Sequence, residues 1–233
     1  MKKSEVTKLL KENINQRGID NWNEMEAEKC GLKSYGMGLT VHRKLAKQIG
    51  KDHELAKQLW DSDYYDHKVI SILVDDPKKI TREQMEEQVK DIDFGYMVHV
   101  FSACGAPVAK TPFIAETALE WAKSDNPVKR RCANGFIYEL SKVYTKKAPD
   151  DAYFLDYVNH VEKTFPDEPN SVRMSLAGAL MGIGKRNVTL NKACLKVARA
   201  MGPVPVESGK SKCEPFDVVK HLTSDYLVKK FGL

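Results

Sequence analysis

Apolar residues recur along this chain at spacings of three and four, and almost nowhere at a spacing of two. In TPFIAETALEWAK, Ile114, Ala118, Trp121 and Ala122 share one face of a helix, and in DAYFLDYVNHVEK, Phe154, Val158 and Val161 do the same. Punctuation agrees with the periodicity. Asp52 is placed to cap HELAKQLW, Thr81 and Gln84 have capping-box spacing, and Pro77, Pro112, Pro127 and Pro149 stand where a first helical turn tolerates proline. Gly50, Gly184 and Gly202 follow helical runs as stops. PVPV at 203–206 is too short and too rich in proline for a strand. The pattern predicts an all-α chain of about ten to twelve helices.

Two stretches repeat. NPVKRRCANGFIY, from Asn126, matches PNSVRMSLAGALM, from Pro169, with Val128, Lys129 and Ala133 each 44 residues before Val172, Arg173 and Ala177. A looser echo is DHKVISIL, where Lys68 takes the basic position, and AKQLWDSD around Trp60 resembles ALEWAKSD around Trp121. This period belongs to stacked helix pairs, each too small to bury its apolar stripe alone. The expected fold is a HEAT-like repeat α-solenoid of antiparallel helix pairs over 1–201, with an irregular bundle as the alternative. Residues 202–233 form a C-terminal extension, a loop and then a helix whose Phe216, Val219, Leu222 and Tyr226 dock back on the repeats. Trp60 and Trp121 sit on apolar faces and read as packing residues.

Composition narrows the class. No apolar run approaches the roughly 18 residues of a membrane span, and MKKSEVTKLLKENINQ is broken by charge before a signal-peptide core can form. The five cysteines are odd in number, widely spaced and without a CxxC, which points to reduced thiols in a cytoplasmic protein with no zinc site, metal or cofactor. Net charge is +5, and from Lys185 onward ten Lys or Arg face four Asp or Glu. That asymmetry fits a polyanion partner, or a solvated helix face with a lysine-rich tail.

The order of HRKLAKQI, ELAKQLWDSDYYDHKVISILVDDPKKIT, KDIDFGYMVHVF, KTPF, EWAKSDNPVKRRCANGFIY and GALMGIGKRN resembles the AlkD-type DNA alkylation repair proteins over roughly residues 35–200. The resemblance implies HEAT-like repeats and monofunctional DNA glycosylases that release cationic alkylpurines such as 3-methyladenine and 7-methylguanine. It further implies a basic concave surface on the duplex, and a cleft with a Trp and an Asp four residues apart on one helix and a second Trp on a later repeat. The carboxylate stabilises positive charge developing on the sugar, and the indoles pack on it. Aligned without gaps, DIDFGYMVHVF puts Gly95 at the first Trp position and His99 at the Asp position, and SLAGALMGIGKRN puts Gly178 at the second Trp position. The tail GPVPVESGKSKCEPFDVVKHL resembles the extension of a divergent subset, in which an acidic-glycine turn precedes Cys213.

The residues themselves leave two readings of the cleft. His99, among Met97, Val98, Val100 and Phe101, reads as a core histidine or as a substitute base in the cleft. Asp91 and Asp93 read as caps of the helix they precede, with Asp93 the nearest substitute carboxylate. If catalysis survives, His99 and Asp93 are its candidates. Lys110, Lys129, Arg130, Arg131, Lys185 and Arg186 are the candidate contacts to DNA phosphates. The functional expectation is a monomeric binder of double-stranded or branched DNA, with glycosylase activity, noncatalytic binding and a protein-interaction scaffold as its competing forms.

Overall fold

The computed structural model describes residues 1–145, 148–206 and 213–232, the side chain of Glu28 excepted. Among them the regular structure is fifteen α-helices and three single-turn 3-10 segments, with two isolated β-bridges. The helices outnumber the expectation because several are only one or two turns long. They fall into two compact units, 1–112 and 113–233. The acidic-glycine turn at 207–209 lies outside the described residues.

The first unit holds α1 (Lys3–Lys11), α2 (Gln16–Met25), α3 (Ala27–Cys30), α4 (Leu39–Ile49), α5 (His53–Trp60), α6 (Tyr65–Val74), α7 (Arg82–Gln88) and α8 (Met97–Ser102). Helix α6 packs against α4, α5 and α8 and is buried along nearly its whole length. That is why its second half, VISILV, reads as almost continuously apolar, and why Asp66, His67 and Ser71 are buried with hydrogen-bond partners. Leu45, Leu55, Leu59, Ile70 and Val74 form the centre of one hydrophobic cluster. Asp52 accepts from the Leu55 amide and Thr81 from the Gln84 amide, as their spacing predicts. The Gln84 amide group turns to the Asp75 carboxylate at 2.7 Å, so only half of the capping box forms.

The second unit holds α9 (Ile114–Trp121), α10 (Pro127–Ser141), α11 (Asp151–Thr164), α12 (Asn170–Ile183), α13 (Val188–Met201), α14 (Val218–Leu222) and α15 (Asp225–Phe231). Helix α10 lies against α9 and α12, and α11 lies against α13. Positions 44 apart are buried in pairs: Val128 with Val172, Cys132 with Leu176, Ala133 with Ala177, Phe136 with Leu180. The C-terminal extension belongs to this unit, with α14 against α12 and α13 and the Asn191 amide donating to the Leu222 carbonyl at 3.2 Å. It carries two short helices rather than one. Ser224 restarts the chain, so Leu227 is buried and Tyr226, expected to dock, is 72% exposed.

The repeated basic position has a structural use. Trp60, Trp121 and Phe165 each stand at the end of a helix, and eight residues later come Lys68, Lys129 and Arg173. Lys68 Nζ donates to the Trp60 carbonyl at 2.7 Å and sits 4.5 Å from its ring centre. Lys129 Nζ lies 5.2 Å from the Trp121 ring centre, and Arg173 donates to the carbonyls of Phe165 and Pro166 at 3.1 and 2.6 Å. The last carbonyls of a helix have no partner of their own and carry its negative dipole end, so a cation from the next helix satisfies both. Packing roles for Trp60 and Trp121 follow.

Candidate functional site

The stretch 91–105 is not one helix. Asp91 closes a 3-10 turn, Asp93 is exposed, and α8 begins only at Met97 with Tyr96 at its N-cap. Neither aspartate caps it. Gly95 precedes the helix at φ +52°, where L side chains are strained, and a Cβ there would lie 2.9 Å from the Tyr65 hydroxyl. The helical seat that the resemblance implies for a Trp at 95 is therefore absent, and its space is already filled. Gly178 is the opposite case: it lies within α12, and a Cβ would meet nothing within 4 Å.

His99 is a second correction. Its neighbours Met97, Val98, Val100 and Phe101 are buried, but His99 itself faces out. Its Nε2 lies 2.8 Å from Cys104 Sγ, and Cys104 holds φ +57°, a conformation rare for a residue with a side chain. Arg43 Nη2 donates to the Cys104 carbonyl at 3.3 Å. Asp93 is elsewhere, lining an open depression of about 460 Å³ with Asp91, Lys68 and Lys90. His99 is not among the residues that line that depression.

Beside Gly95 lies an open pocket of about 250 Å³ that includes Trp22, Met25, Glu26, Met37, Tyr65 and Tyr96. Trp22 comes from α2, Tyr65 is the first residue of α6, and Tyr96 is the N-cap of α8. The Trp22 and Tyr65 rings lie 4.3 Å apart at 33°, Phe94 meets both edge-on, and Tyr96 stands edge-on to Tyr65 at 5.3 Å. Such edge and offset contacts suit the ring quadrupoles. Trp22 Nε1 donates to the Leu32 carbonyl at 2.8 Å, and the Tyr65 hydroxyl accepts from the Tyr96 amide at 3.1 Å.

A buried polar chain holds the far wall. The Tyr96 hydroxyl is 2.7 Å from His42 Nδ1 and donates to the Met37 carbonyl at 3.1 Å. His42 Nε2 lies 3.0 Å from Asp66 Oδ1, both side chains being fully buried. Asp66 Oδ2 accepts from Ser34 Oγ at 2.9 Å and the Tyr35 amide at 2.6 Å. Burial pushes the Tyr65 and Tyr96 hydroxyls well above the ordinary tyrosine value, and the charge of Asp66 adds to this. Both stay neutral phenols at physiological pH. Among the described residues Glu26 supplies the one carboxylate at the pocket, and no Lys or Arg lines it: Oε2 accepts from the Gly95 amide at 3.1 Å, and Oε1 is 3.3 Å from Lys29 Nζ.

The expected phosphate contacts fare unequally. Arg130 is bound to Glu168 (Nε–Oε1 2.9 Å) and donates from Nη1 to the carbonyls of Ser124 and Asp125. Arg186 donates from Nη1 to the carbonyls of Ser141 and Val143, both at 2.8 Å, and packs over the Phe154 and Tyr144 rings. Both arginines therefore serve backbone carbonyls, Arg130 in the loop before its own helix and Arg186 at the end of α10. Lys129 covers Trp121, Arg131 is half-buried, the Lys185 carbonyl accepts from Lys230 Nζ, and Lys110 is exposed at the end of a 3-10 turn. Exposed cations that were not singled out include Arg43, Lys44, Lys47 and Lys51, of which Arg43, Lys47 and Lys51 line one depression of about 340 Å³. The signal was present in HRKLAKQIGK, where the basic residues fall on the face opposite Leu45 and Ala46.

The profile of the family described as DNA alkylation repair enzyme matches residues 6–205. Two uncharacterized Listeria proteins are similar over 200 residues, 82% of this chain and 83% of theirs: Lin0241 of Listeria innocua at 22% identity and Lmo0209 of Listeria monocytogenes at 23%. A solved structure covers all of this chain and 97% of its own, with a TM-score of 0.80 and 16% identity. It is described as a new family of proteins related to the HEAT-like repeat DNA glycosylases with affinity for branched DNA structures. That likeness establishes the fold as an all-α HEAT-like repeat solenoid.

Proposed function

Because the chain belongs to the DNA alkylation repair family, we propose that it is a monomeric cytoplasmic protein that binds duplex or branched DNA through the phosphate backbone, without releasing bases. The observation that carries the binding is the exposed basic set Arg43, Lys44, Lys47 and Lys51 on and after α4, with no carboxylate partner among the described residues. Long cationic side chains in an open depression suit phosphates, which position DNA without reading its sequence. Lys110, Lys129, Arg131 and Lys185 are proposed as further contacts. The affinity for branched DNA in the description of the similar structure supports the choice of ligand. Absence of base release rests on the cleft positions: Gly95, His99 and Gly178 offer neither a carboxylate nor an indole.

The experiment is one incubation read two ways. A duplex and a four-way junction, each carrying 7-methylguanine, are titrated with protein at several salt concentrations, and free base is measured. The expected result is binding that weakens steeply with salt, and no released base. Release that His99→Ala or Asp93→Asn abolishes would assign the chain an enzymatic role through those residues. No salt-sensitive binding to either DNA would leave a protein-interaction scaffold. A second reading, alkylpurine release, is favoured by one observation: Glu26 sets a carboxylate beside the aromatic wall at Gly95. It requires release that Glu26→Gln removes.

A further inference from the structure

We infer that Tyr144 and Tyr226, with the cations between them, form an open platform on the second unit for the unpaired bases of a single-stranded arm of branched DNA; this rests on the DNA-binding reading above. Among the described residues these are the two aromatic side chains more than half exposed, at 66% and 72%. Both lie on one strip of surface. Arg186 Cζ is 4.9 Å from the Tyr144 ring centre, and Lys185 is its neighbour in the chain. Lys230 Nζ donates to the Lys185 carbonyl at 2.9 Å, and Tyr226 stands one helical turn before Lys230 on α15.

Each ring is seated from the protein side. Phe154 is fully buried, and the Arg186 guanidinium lies 4.6 Å from its ring centre as well as 4.9 Å from that of Tyr144. Arg186 is itself held by the carbonyls of Ser141 and Val143, both at 2.8 Å. The row therefore runs from the core outward and ends in an exposed ring. On α15, Leu227 is buried against the second unit, which turns its neighbour Tyr226 to solvent. A flat ring open to solvent is what a base stacks on, and every base has a π-face to offer it. A ring that is already held loses little freedom on binding.

Charge selects the class of partner. Lys185, Arg186, Lys229 and Lys230 stand against the single acid of α15, Asp225, and the three lysines have no carboxylate partner among the described residues. Cations interleaved with open aromatic rings suit a strand that carries a phosphate for every base: the lysines take the backbone and the tyrosines the bases. A duplex keeps its base faces stacked on one another and offers such a strip only phosphates. The strip therefore separates unpaired from paired DNA. It is an open surface, so the bases it carries are not enclosed, and an arm that is already single-stranded needs no base to be extruded.

The test titrates three end-labelled DNAs with the full chain and reads fluorescence anisotropy: an oligothymidine of about 16 nucleotides, a blunt duplex of the same length, and a fully paired four-way junction. Wild-type protein binds the oligothymidine with an affinity that falls with salt. Tyr144→Ala and Tyr226→Ala each weaken that binding by about tenfold, the scale of one stacked base. Neither changes binding to the duplex or the four-way junction. Tyr144→Phe and Tyr226→Phe, which keep the ring, keep the affinity. Both side chains are exposed, and helical circular dichroism checks that the variants fold. Normal duplex and junction binding, with an oligothymidine affinity that neither alanine variant alters, overturns the platform, leaves DNA binding standing and gives the strip to a protein partner. No binding to any of the three DNAs overturns the DNA reading itself.

Discussion

The two units use charge in opposite ways. Residues 1–112 contain 18 Lys or Arg and 18 Asp or Glu, and residues 113–233 contain 19 and 14, so the whole excess of positive charge lies in the second unit. Yet three of its five arginines serve backbone carbonyls between or at the ends of helices: Arg130 on Ser124 and Asp125, Arg173 on Phe165 and Pro166, Arg186 on Ser141 and Val143. The neutral unit carries both the exposed basic set on α4 and the aromatic pocket with its buried Asp66–His42–Tyr96 chain. Net charge thus says little about where a polyanion sits. What differs is how many of the cations already serve a carbonyl: of the α4 set, Arg43 does, at Cys104, whereas Lys44, Lys47 and Lys51 have no such bond among the described residues.

The largest expected effect lies in the first unit. Asp66→Ala removes the partner of His42 and the acceptor of Ser34 Oγ and the Tyr35 amide in a fully buried site. Denaturant unfolding should show a loss of about 3–5 kcal/mol, the scale of a broken buried pair. A change below about 1 kcal/mol would mean that the chain is not a structural support of the pocket.

Acid should reach the same unit next. His67 is buried between Thr7 Oγ1 and Ser62 Oγ, and burial, with Lys3 nearby, lowers it to about 4. Above pH ~6.5 it is neutral in both folded and unfolded chains and contributes nothing to pH dependence. Between there and about 4 the unfolded chain takes up the proton first, so stability falls as pH falls. The expected loss over that window is roughly 3 kcal/mol, read as a drop in unfolding free energy that His67→Gln reduces.

Two glycines sharpen the contrast at smaller scale. Gly95→Ala forces a side chain into the left-handed region and against Tyr65, and should cost about 1–2 kcal/mol. Gly178→Ala fills open space within α12 and should stabilise by up to about 1 kcal/mol. Thermal unfolding of the two variants should move in opposite directions.

Much of the scaffold was legible. Asp52 and Thr81 cap where their spacing says, Asn126 and Pro127 open α10, and Gly50 and Gly202 stop their helices, because these devices act within four residues. The 44-residue offset was legible because buried faces repeat with the helix pairs. The basic repeat position was visible too, but not its use: Lys68 and Arg173 each donate to a carbonyl eight residues back, an acceptor that text does not reveal. The pocket was not legible, since Trp22, Glu26, Tyr65 and Tyr96 are brought together by tertiary packing alone. Gly95 reads as an absence, whereas its φ of +52° makes it a turn that admits Tyr65. His99 was misplaced because its apolar neighbours surround it in sequence, not in space.

The most direct test measures the salt dependence of junction binding for two double variants, Arg43→Ala with Lys47→Ala, and Arg130→Ala with Arg186→Ala. The expected result is that the α4 pair lowers the slope of log K against log[salt] by about 2, near one unit per lost phosphate contact. The second pair should lower the melting temperature and leave the slope of the folded protein unchanged. A slope that falls with Arg130 and Arg186 and stays fixed without Arg43 and Lys47 would contradict the account.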